Sequence, residues 1–599
     1  MTGHDTYHEE ERRIQAFDRH LFLRLMSYLK PYYPVVAAGL LLLFVNAALE
    51  ISLTFLVQIG IDDYIANQDT DGFRMIILLY LGAILLGLAV ASGQLYLTMW
   101  LGQKVQHDIR TQLFAHLQKL PTSFLDRNPI GRLVTRVTGD VGTLNELFST
   151  GVVTILGDLL SLVLIVAALL YYNWQLALLT FVVLPFLVTA TVWFRTRIRH
   201  QYRELRLRLA RLNAFVQEHV TGIEQVQLLG REQHVRNRLA GFNRRVRSTS
   251  LKSVYYSALF LPTAEIIGAL SIAILLHAGG MKVLDSVLTF GELVAFINLV
   301  ERFYQPIQSL SEEYGVLHAS MASSERIFQI LDTPPESTGP EVMPNSRVER
   351  TTIAFEHVWF AYKDEDWVLK DVTFRIEPGE TVAIVGATGA GKTSLASLLF
   401  RFYEPQRGRI TLSDVPLRDL PIAFVRSQLG LVLQDGFLFS GTVAENVRGG
   451  NTALDDEDVL AALEAVRFFE TGLPLHDGVG TVLGQGGAAL SSGQRQLLAM
   501  ARVLAHDPKV LILDEATSSV DIETERQIDA AVDRARQGRT AIIIAHRLAT
   551  VRKADRILVM HHGALHESGT HAELMALNGL YRRLYQLQFE TNTPSVTRS

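Results

Sequence analysis

Residues 386–394 read GATGAGKTS, which fits the spacing G-x-x-x-x-G-K-[ST] through Gly386, Gly391, Lys392 and Thr393. Such a run grips phosphate without covalent chemistry. Its glycines let successive backbone N–H groups turn toward one anion, and the helix after it adds the positive end of its dipole. The predicted cradle is Gly386, Ala387, Thr388, Gly389, Ala390, Gly391, Lys392, Thr393 and Ser394. Lys392 would reach terminal phosphates, and the Thr393 hydroxyl would ligate Mg2+. VLILDEA, residues 510–516, is an apolar run that ends in two acids. Asp514 suits magnesium coordination, and Glu515 suits a general base acting on water. TAIIIAHRL delivers His546 at the end of another apolar run, where it could position that water. Gln434, in LGLVLQDGF, has an amide able to ligate magnesium or water. Tyr362, in VWFAYKDED, offers a ring for stacking on adenine. Each has an ordinary reading as well: a glycine turn, a helix cap, a surface histidine, a core aromatic.

What joins them is the kind of element each must sit on. VTFRI, TVAIVG, KVLILD and TAIIIA are short β-rich runs separated by helical stretches, the pattern of an α/β domain. In such domains ligands bind beyond the carboxyl ends of the strands, where Gly386, Asp514, Glu515 and His546 all fall. The stretch LGQGGAALSSGQRQ, residues 483–496, has no carboxylate, histidine or thiol. It precedes the amphipathic helix pattern QLLAMARVLAHD and can act only through hydroxyls, amides and backbone. Ahead of this domain, TPPESTGPEVMPNSRVER breaks all periodicity with four prolines. The expected organisation is therefore a first domain over 1–332, a linker over 333–350 and the α/β domain over 351–599.

The first domain is of a different kind. The chain is 48% hydrophobic, and its apolar runs concentrate at 34–58, 75–97, 152–171, 175–194, 255–277 and 283–303, each long enough for a membrane helix. A short turn around Asn173 and Trp174 separates the third from the fourth. The connections 98–150 and 195–254 are rich in Lys and Arg, whereas the loop after the first span carries Asp62, Asp63, Asp69 and Asp71. The basic connections therefore belong in the cytoplasm, as helical extensions of the spans. The N-terminus lacks the pattern of a cleaved signal peptide, so the first span is expected to act as its own insertion signal. The net charge of −5 and the membrane spans exclude a nucleic-acid protein, and the absence of cysteine excludes disulfides and thiol catalysis. Glu50, Asp158, Glu265 and Glu301 fall in or near the spans. They read either as contacts for a cationic or polar substrate or as interhelical hydrogen bonds. No spacing links the four into one site, which favours the second reading.

Taken together, Tyr362, GATGAGKT, Gln434, LSSGQ at 490–494, LILDE at 511–515, SSVD at 518–521 and His546 resemble, in order and spacing, the ATP-binding cassette family. The fused six-helix domain resembles a half-transporter of the multidrug and lipid-flippase exporter type. FLDRNPIGRLVTRVTGDV (124–141) and GIEQVQLLGREQ (222–233) look like the family's cytoplasmic loops, whose short coupling helices transmit ATP state to the membrane helices. The resemblance implies an Mg-dependent ATPase that drives export or flipping of a hydrophobic or amphipathic substrate across the cytoplasmic membrane by alternating access. An ATP-gated channel is the alternative. It further implies that Leu490, Ser491, Ser492, Gly493 and Gln494 contact ATP held by a second chain, next to the D-loop residues Ser518, Ser519, Val520 and Asp521. Three departures bear on that chain. Ser492 stands where the family usually has glycine, the signature continues with Leu-Leu, and Gln485 stands where many relatives have Glu. With Glu515, Lys392 and His546 retained, the pattern resembles the hydrolysis-competent member of a heterodimer, which is favoured over a homodimer.

Overall fold

The computed structural model describes residues 18–340, 351–433, 436–471, 477–488, 490–515, 522–545 and 551–592. They divide into two compact units, Met1–Gln118 with Ile130–Thr333, and Lys119–Pro129 with Pro334–Ser599. The segment Lys119–Pro129 lies inside the span 1–332 that the sequence assigns to one domain, yet it packs with the second unit.

The first unit is built of long helices. Tyr33–Ile59 carries Pro34 in its first turn, a position that tolerates it. Thr70–Leu117 is capped by Asp69, whose carboxylate accepts from the N–H groups of Asp71 and Gly72. Val152–Phe181 contains one non-helical residue, Asn173, with φ −161° and ψ 104°. Its side-chain oxygen accepts from Leu176 N, so the third predicted span ends there and the fourth begins on an Asn cap. Leu184–Thr221, Glu232–Leu284 and Phe290–Leu331 come next in the chain. The last turn falls at 285–289, after the predicted 278–282, because Thr289 forms a capping box with Glu292.

Among the described residues, four helices are long and apolar enough to cross a membrane: Arg19–Ile65, Thr70–Leu117, Ile130–Phe181 and Glu232–Leu284. The other two predicted spans fall short of this measure for visible reasons. The start of the fourth, 175–181, belongs to Val152–Phe181, and its remainder lies in Leu184–Thr221, which turns basic at Arg195, Arg197 and Arg199; the helix of the sixth, Phe290–Leu331, carries Glu292, Glu301 and Arg302 in its apolar half. Leu78, Leu81, Leu85 and Leu88 all stand exposed, as expected of a helix whose solvent is lipid. Inside the unit, Leu169, Leu176, Phe296, Leu299 and Val300 form a closed apolar core.

Two π-helical stretches, Arg136–Asp140 and Leu147–Gly151, interrupt the helix that leads into the third span. The first ends at buried Asp140, which accepts hydrogen bonds from Arg136 at 2.8 Å, from Arg326 at 2.6 and 3.0 Å, and from Ser323 at 3.2 Å. One carboxylate thus ties the stretch RVTGDV to the sixth helix. Asp140→Ala removes the buried carboxylate that Arg136 and Arg326 share. A destabilisation of about 3 kcal/mol is expected, read as a lower thermal unfolding midpoint that Asp140→Glu partly restores.

The second unit carries the strands. β1 (Ile353–Ala361), β2 (Trp367–Ile376), β4 (Arg407–Leu412) and β5 (Val415–Pro416) form an antiparallel sheet in the order β2-β1-β4-β5. β3 (Thr381–Val385), β6 (Leu429–Val432), β9 (Val510–Glu515), β10 (Thr540–Ala545), β11 (Arg556–His561) and β12 (Ala564–Gly569) form a second sheet. Its order is β12-β11-β3-β10-β9-β6, and all its pairs are parallel except β11 with β12; β7 (Gly441–Thr442) and β8 (Val482–Leu483) form a short antiparallel pair of their own. The central strands are apolar throughout because both faces are covered. Val382, Ile384, Val510 and Ile512 enter one core, while Ala383, Val385, Leu511 and Leu513 enter the other. This alternation fixes register, and register fixes which residues emerge together at the strand ends.

Candidate nucleotide site

β3 ends at Val385, and the loop 386–391 leads into the helix Lys392–Leu399. Two glycines are required by the surroundings. A Cβ on Gly386 would lie 2.3 Å from the Met560 carbonyl oxygen. At Gly391, where φ is +95°, it would lie 2.6 Å from Leu369 Cδ2 and 3.1 Å from the Val368 oxygen. The backbone is thus held close to its neighbours while Ala387, Thr388, Gly389 and Thr393 stay exposed, and Ala390 and Ser394 are buried.

Lys392 is 5% exposed, and its Nζ donates to the carbonyl oxygens of Gly386 and Ala387 at 2.8 and 3.1 Å. Burial pulls its ammonium below the ordinary lysine value, and the Asp514 carboxylate opposes that pull. The lysine therefore sits folded over its own loop, a cation whose present partners are neutral carbonyls.

Asp514 is half-buried at the end of β9, where its backbone pairs with Ile544 of β10. The next pair is Glu515 with Ala545, the residue that precedes His546. β6 pairs Val432 with Leu513, so the strand leading toward Gln434 ends at the same edge. The parallel register thus brings the strands carrying Gly386, Gln434, Asp514, Glu515 and His546 to one carboxyl edge. Gln434, His546 and the run Ser518–Asp521 themselves lie outside the described residues.

Tyr362, just past β1, is 38% exposed. Its hydroxyl lies 3.0 Å from Ser394 Oγ, and its ring is held edge-on by Phe360 and Tyr403, with centroids 4.8 and 5.0 Å away. An exposed ring fixed beside the phosphate loop can take a stacked base.

The signature run has an arrangement that the sequence left unread. Ser491 caps the helix Ser492–Ala505: its hydroxyl accepts from Gln494 N, and the Gln494 side-chain oxygen accepts from Ser491 N. Gln494 Nε2 also donates to the Thr471 carbonyl. Ser491 and Gln494 of LSSGQ therefore engage their own helix start, while Leu490 and Gly493 are buried and Ser492 is exposed. Gln485, in the short turn Gln485–Gly487, is exposed too.

Two further residues shape the site, and motif reading missed them. Arg502, on the signature helix, donates to the Phe437 carbonyl at 2.8 Å and to Asn446 O and Oδ1, each at 2.7 Å. It fastens the segment after Gln434 to that helix. Tyr403, whose ring supports Tyr362, donates its hydroxyl to Asp126 on the short helix Thr122–Arg127. Burial and the adjacent Asp126 carboxylate both raise the phenol well above its ordinary value, so it remains a donor at physiological pH. The signal for this link was the family-like run FLDRNPIG, which contains Asp126; its partner in RFYEP carried no mark of its own.

Comparison with known proteins agrees over nearly the whole chain. The profile of the ABC transporter transmembrane region matches residues 36–307, and that of the ABC transporter matches residues 369–518. An uncharacterized ABC transporter ATP-binding protein of Bacillus subtilis, YknV, is 36% identical over 98% of this chain and 97% of its own length. An ATP-dependent lipid A-core flippase of Syntrophus aciditrophicus is 33% identical, with 97% of this chain and 96% of the flippase covered. The solved structure of a bacterial Atm1-family ABC exporter with ATP bound superposes with a TM-score of 0.74 at 26% identity, covering 94% of this chain and 99% of the exporter.

Proposed function

This chain belongs to the ABC transporter family and is a multi-pass membrane ATPase coupled to transport, and from that premise we propose that it exports or flips a hydrophobic or amphipathic substrate across the cytoplasmic membrane as one half of a dimer. The observation that carries this reading is the shared carboxyl edge of β3, β6, β9 and β10, on a polypeptide that also contains the membrane helices. The names of the flippase and exporter relatives support the direction of transport.

In this reading Lys392 leaves the carbonyls of Gly386 and Ala387 for the terminal phosphates of ATP, while Tyr362 stacks on the base. Thr393, Gln434 and Asp514 supply hydroxyl, amide and carboxylate oxygens, a donor set suited to a hard cation such as Mg2+, which neutralises phosphate charge when bound. Glu515 accepts the proton of the attacking water, and His546 orients that water. The start of the helix Ser492–Ala505 meets ATP held by a second chain. Its capping box keeps that helix start formed before any phosphate arrives. Closure around ATP biases the membrane helices only through the difference in affinity between open and closed dimers. Retention of Glu515, with the Ser492 and Leu-Leu departures, supports a heterodimer in which this chain is the hydrolysing member.

Purification in lipid, alone and with candidate partner half-transporters, tests the reading through oligomer mass, Mg-ATP hydrolysis and ATP-dependent movement of labelled amphiphiles. A monomeric chain with no hydrolysis in any pairing would overturn it. An active homodimer would overturn the heterodimer. Tyr403→Phe probes the transmission route. ATP affinity is expected to change less than about twofold, since the supporting ring remains. Stimulation of hydrolysis by transported substrate should fall severalfold, because the segment carrying Asp126 loses its hydrogen bond.

A further inference from the structure

The intramembrane carboxylates divide into two groups. Glu265 and Glu301 are exposed on their helices. Glu50 and Asp158 line one cavity of about 480 Å³ together with Asn46, Gln94, Arg302 and Ser309. The residues come from the helices of the first, second, third and sixth predicted spans, so no spacing in the sequence could have joined them.

The chemistry of this cavity differs from that of a structural ion pair in the same unit. Asp140 and Arg326 meet at 2.6 Å, with the carboxylate side chain 10% exposed. Glu50 and Arg302 stand 3.7 Å apart, beyond hydrogen-bond distance, and keep 50% and 40% of their side-chain surface open. Asp158 accepts from the Ser309 hydroxyl, a neutral group, and among the described residues no cation pairs with it. The lining holds two carboxylates and one guanidinium, leaving one negative charge in excess. Pro306, also in the lining, lacks the N–H that would have bonded the Arg302 carbonyl, which adds one more acceptor in the same wall. Leu43, Ala47 and Ile165 give the cavity an apolar flank.

We propose that this cavity binds the cationic headgroup of an amphipathic substrate, an ammonium or guanidinium set between Asp158 and Glu50 with its apolar part against Leu43, Ala47 and Ile165. An unbalanced carboxylate is expensive in the membrane, and one monovalent cation removes the imbalance. The volume is that of a small-molecule site. Arg302 tempers Glu50 while the cavity is empty and sets the limit of one cationic charge.

The inference rests on the exporter reading above, but its test uses no nucleotide. The full chain in nanodiscs of zwitterionic lipid is titrated calorimetrically with dodecyltrimethylammonium. Dodecyl phosphate and an uncharged dodecyl glycoside serve as chain-matched probes, all below micelle-forming concentrations. The ammonium should bind at least about tenfold more tightly than either. Asp158→Asn and Glu50→Gln should each erase most of that preference. Asp158→Glu, which keeps the charge, should retain it, and Arg302→Gln should strengthen ammonium binding severalfold. Equal binding of the three probes overturns the site, as does ammonium binding unchanged in both neutralised variants. Preferential phosphate binding that is lost in Arg302→Gln reassigns the cavity to an anionic headgroup and also overturns it. Any of these leaves ATP-coupled transport standing. Intact ammonium binding in a chain that moves no amphiphile with ATP would overturn the exporter reading and leave the cavity.

Discussion

Glu515→Gln will bind Mg-ATP with near-normal affinity and lose hydrolysis at its site by about a thousandfold. The substitution keeps shape and removes basicity: an amide oxygen cannot accept the proton of the attacking water. The backbone at this position is fixed by β9, which pairs Glu515 with Ala545 of β10 in the middle of the sheet, so the variant should fold as the parent does. In the proposed dimer ATP would still bridge two cassettes while its cleavage is blocked, so the closed form should accumulate. Two measurements check this: single-turnover hydrolysis, and the mass of the ATP-bound assembly with cassette closure tracked by paired spin labels. Parental turnover by the variant, in a pair with no other competent site, would remove Glu515 from the role of base.

Lys392→Ala acts one step earlier. The parent lysine is buried, and it already carries the desolvation that a phosphate contact demands, as its lowered pKa records. A charge-assisted hydrogen bond contributes about 1.5–3 kcal/mol, so loss of this cation should weaken Mg-ATP binding about a hundredfold. There is a second effect. The carbonyls of Gly386 and Ala387 lose their donor, so the loop should also lose local order before any nucleotide is added. Titration with a fluorescent ATP analogue gives the first quantity, and amide hydrogen exchange over 386–391 gives the second. The two variants are thus separable, one binding without cleaving and the other failing to bind. A Lys392→Ala chain that binds ATP as tightly as the parent would show that the cradle works through backbone alone.

Much of this site was legible in the sequence because a parallel sheet with both faces covered writes its strands as unbroken apolar runs. Residues just past the end of such a run lie at one edge of the sheet, so Gly386, Asp514 and Glu515 could be grouped from composition and order alone, and His546, outside the described residues, was expected there for the same reason. Four of the six expected membrane spans were legible for the same reason of composition, and the Asn173 turn fell where its cap demanded. Helix ends set by side-chain caps were less so: Thr289 and Glu292 moved the last turn beyond the apolar boundary. Side-chain partnerships across the fold left no periodic mark. Ser491 and Gln494 read as phosphate ligands and prove to bond each other first. Arg502, Tyr403 and the convergence of Glu50 with Asp158 depend on distances between remote segments, which hydropathy does not encode.

The inclusion of Lys119–Pro129 in the second unit has a consequence for biogenesis. These residues leave the ribosome about two hundred positions ahead of Pro334, and synthesis runs from the N-terminus. The ATPase body cannot be completed as it emerges from a finished membrane part; it must recover a piece of chain made long before, between two membrane insertions. The Glu336 N–H bonds the Lys119 carbonyl at 2.7 Å, and Arg426 grips the Glu336 carboxylate at 2.7 and 3.0 Å. These contacts form only after that late reunion. A cassette excised at Pro334 for separate production is therefore a body with one part missing, its Tyr403 hydroxyl facing water where the whole chain supplies Asp126.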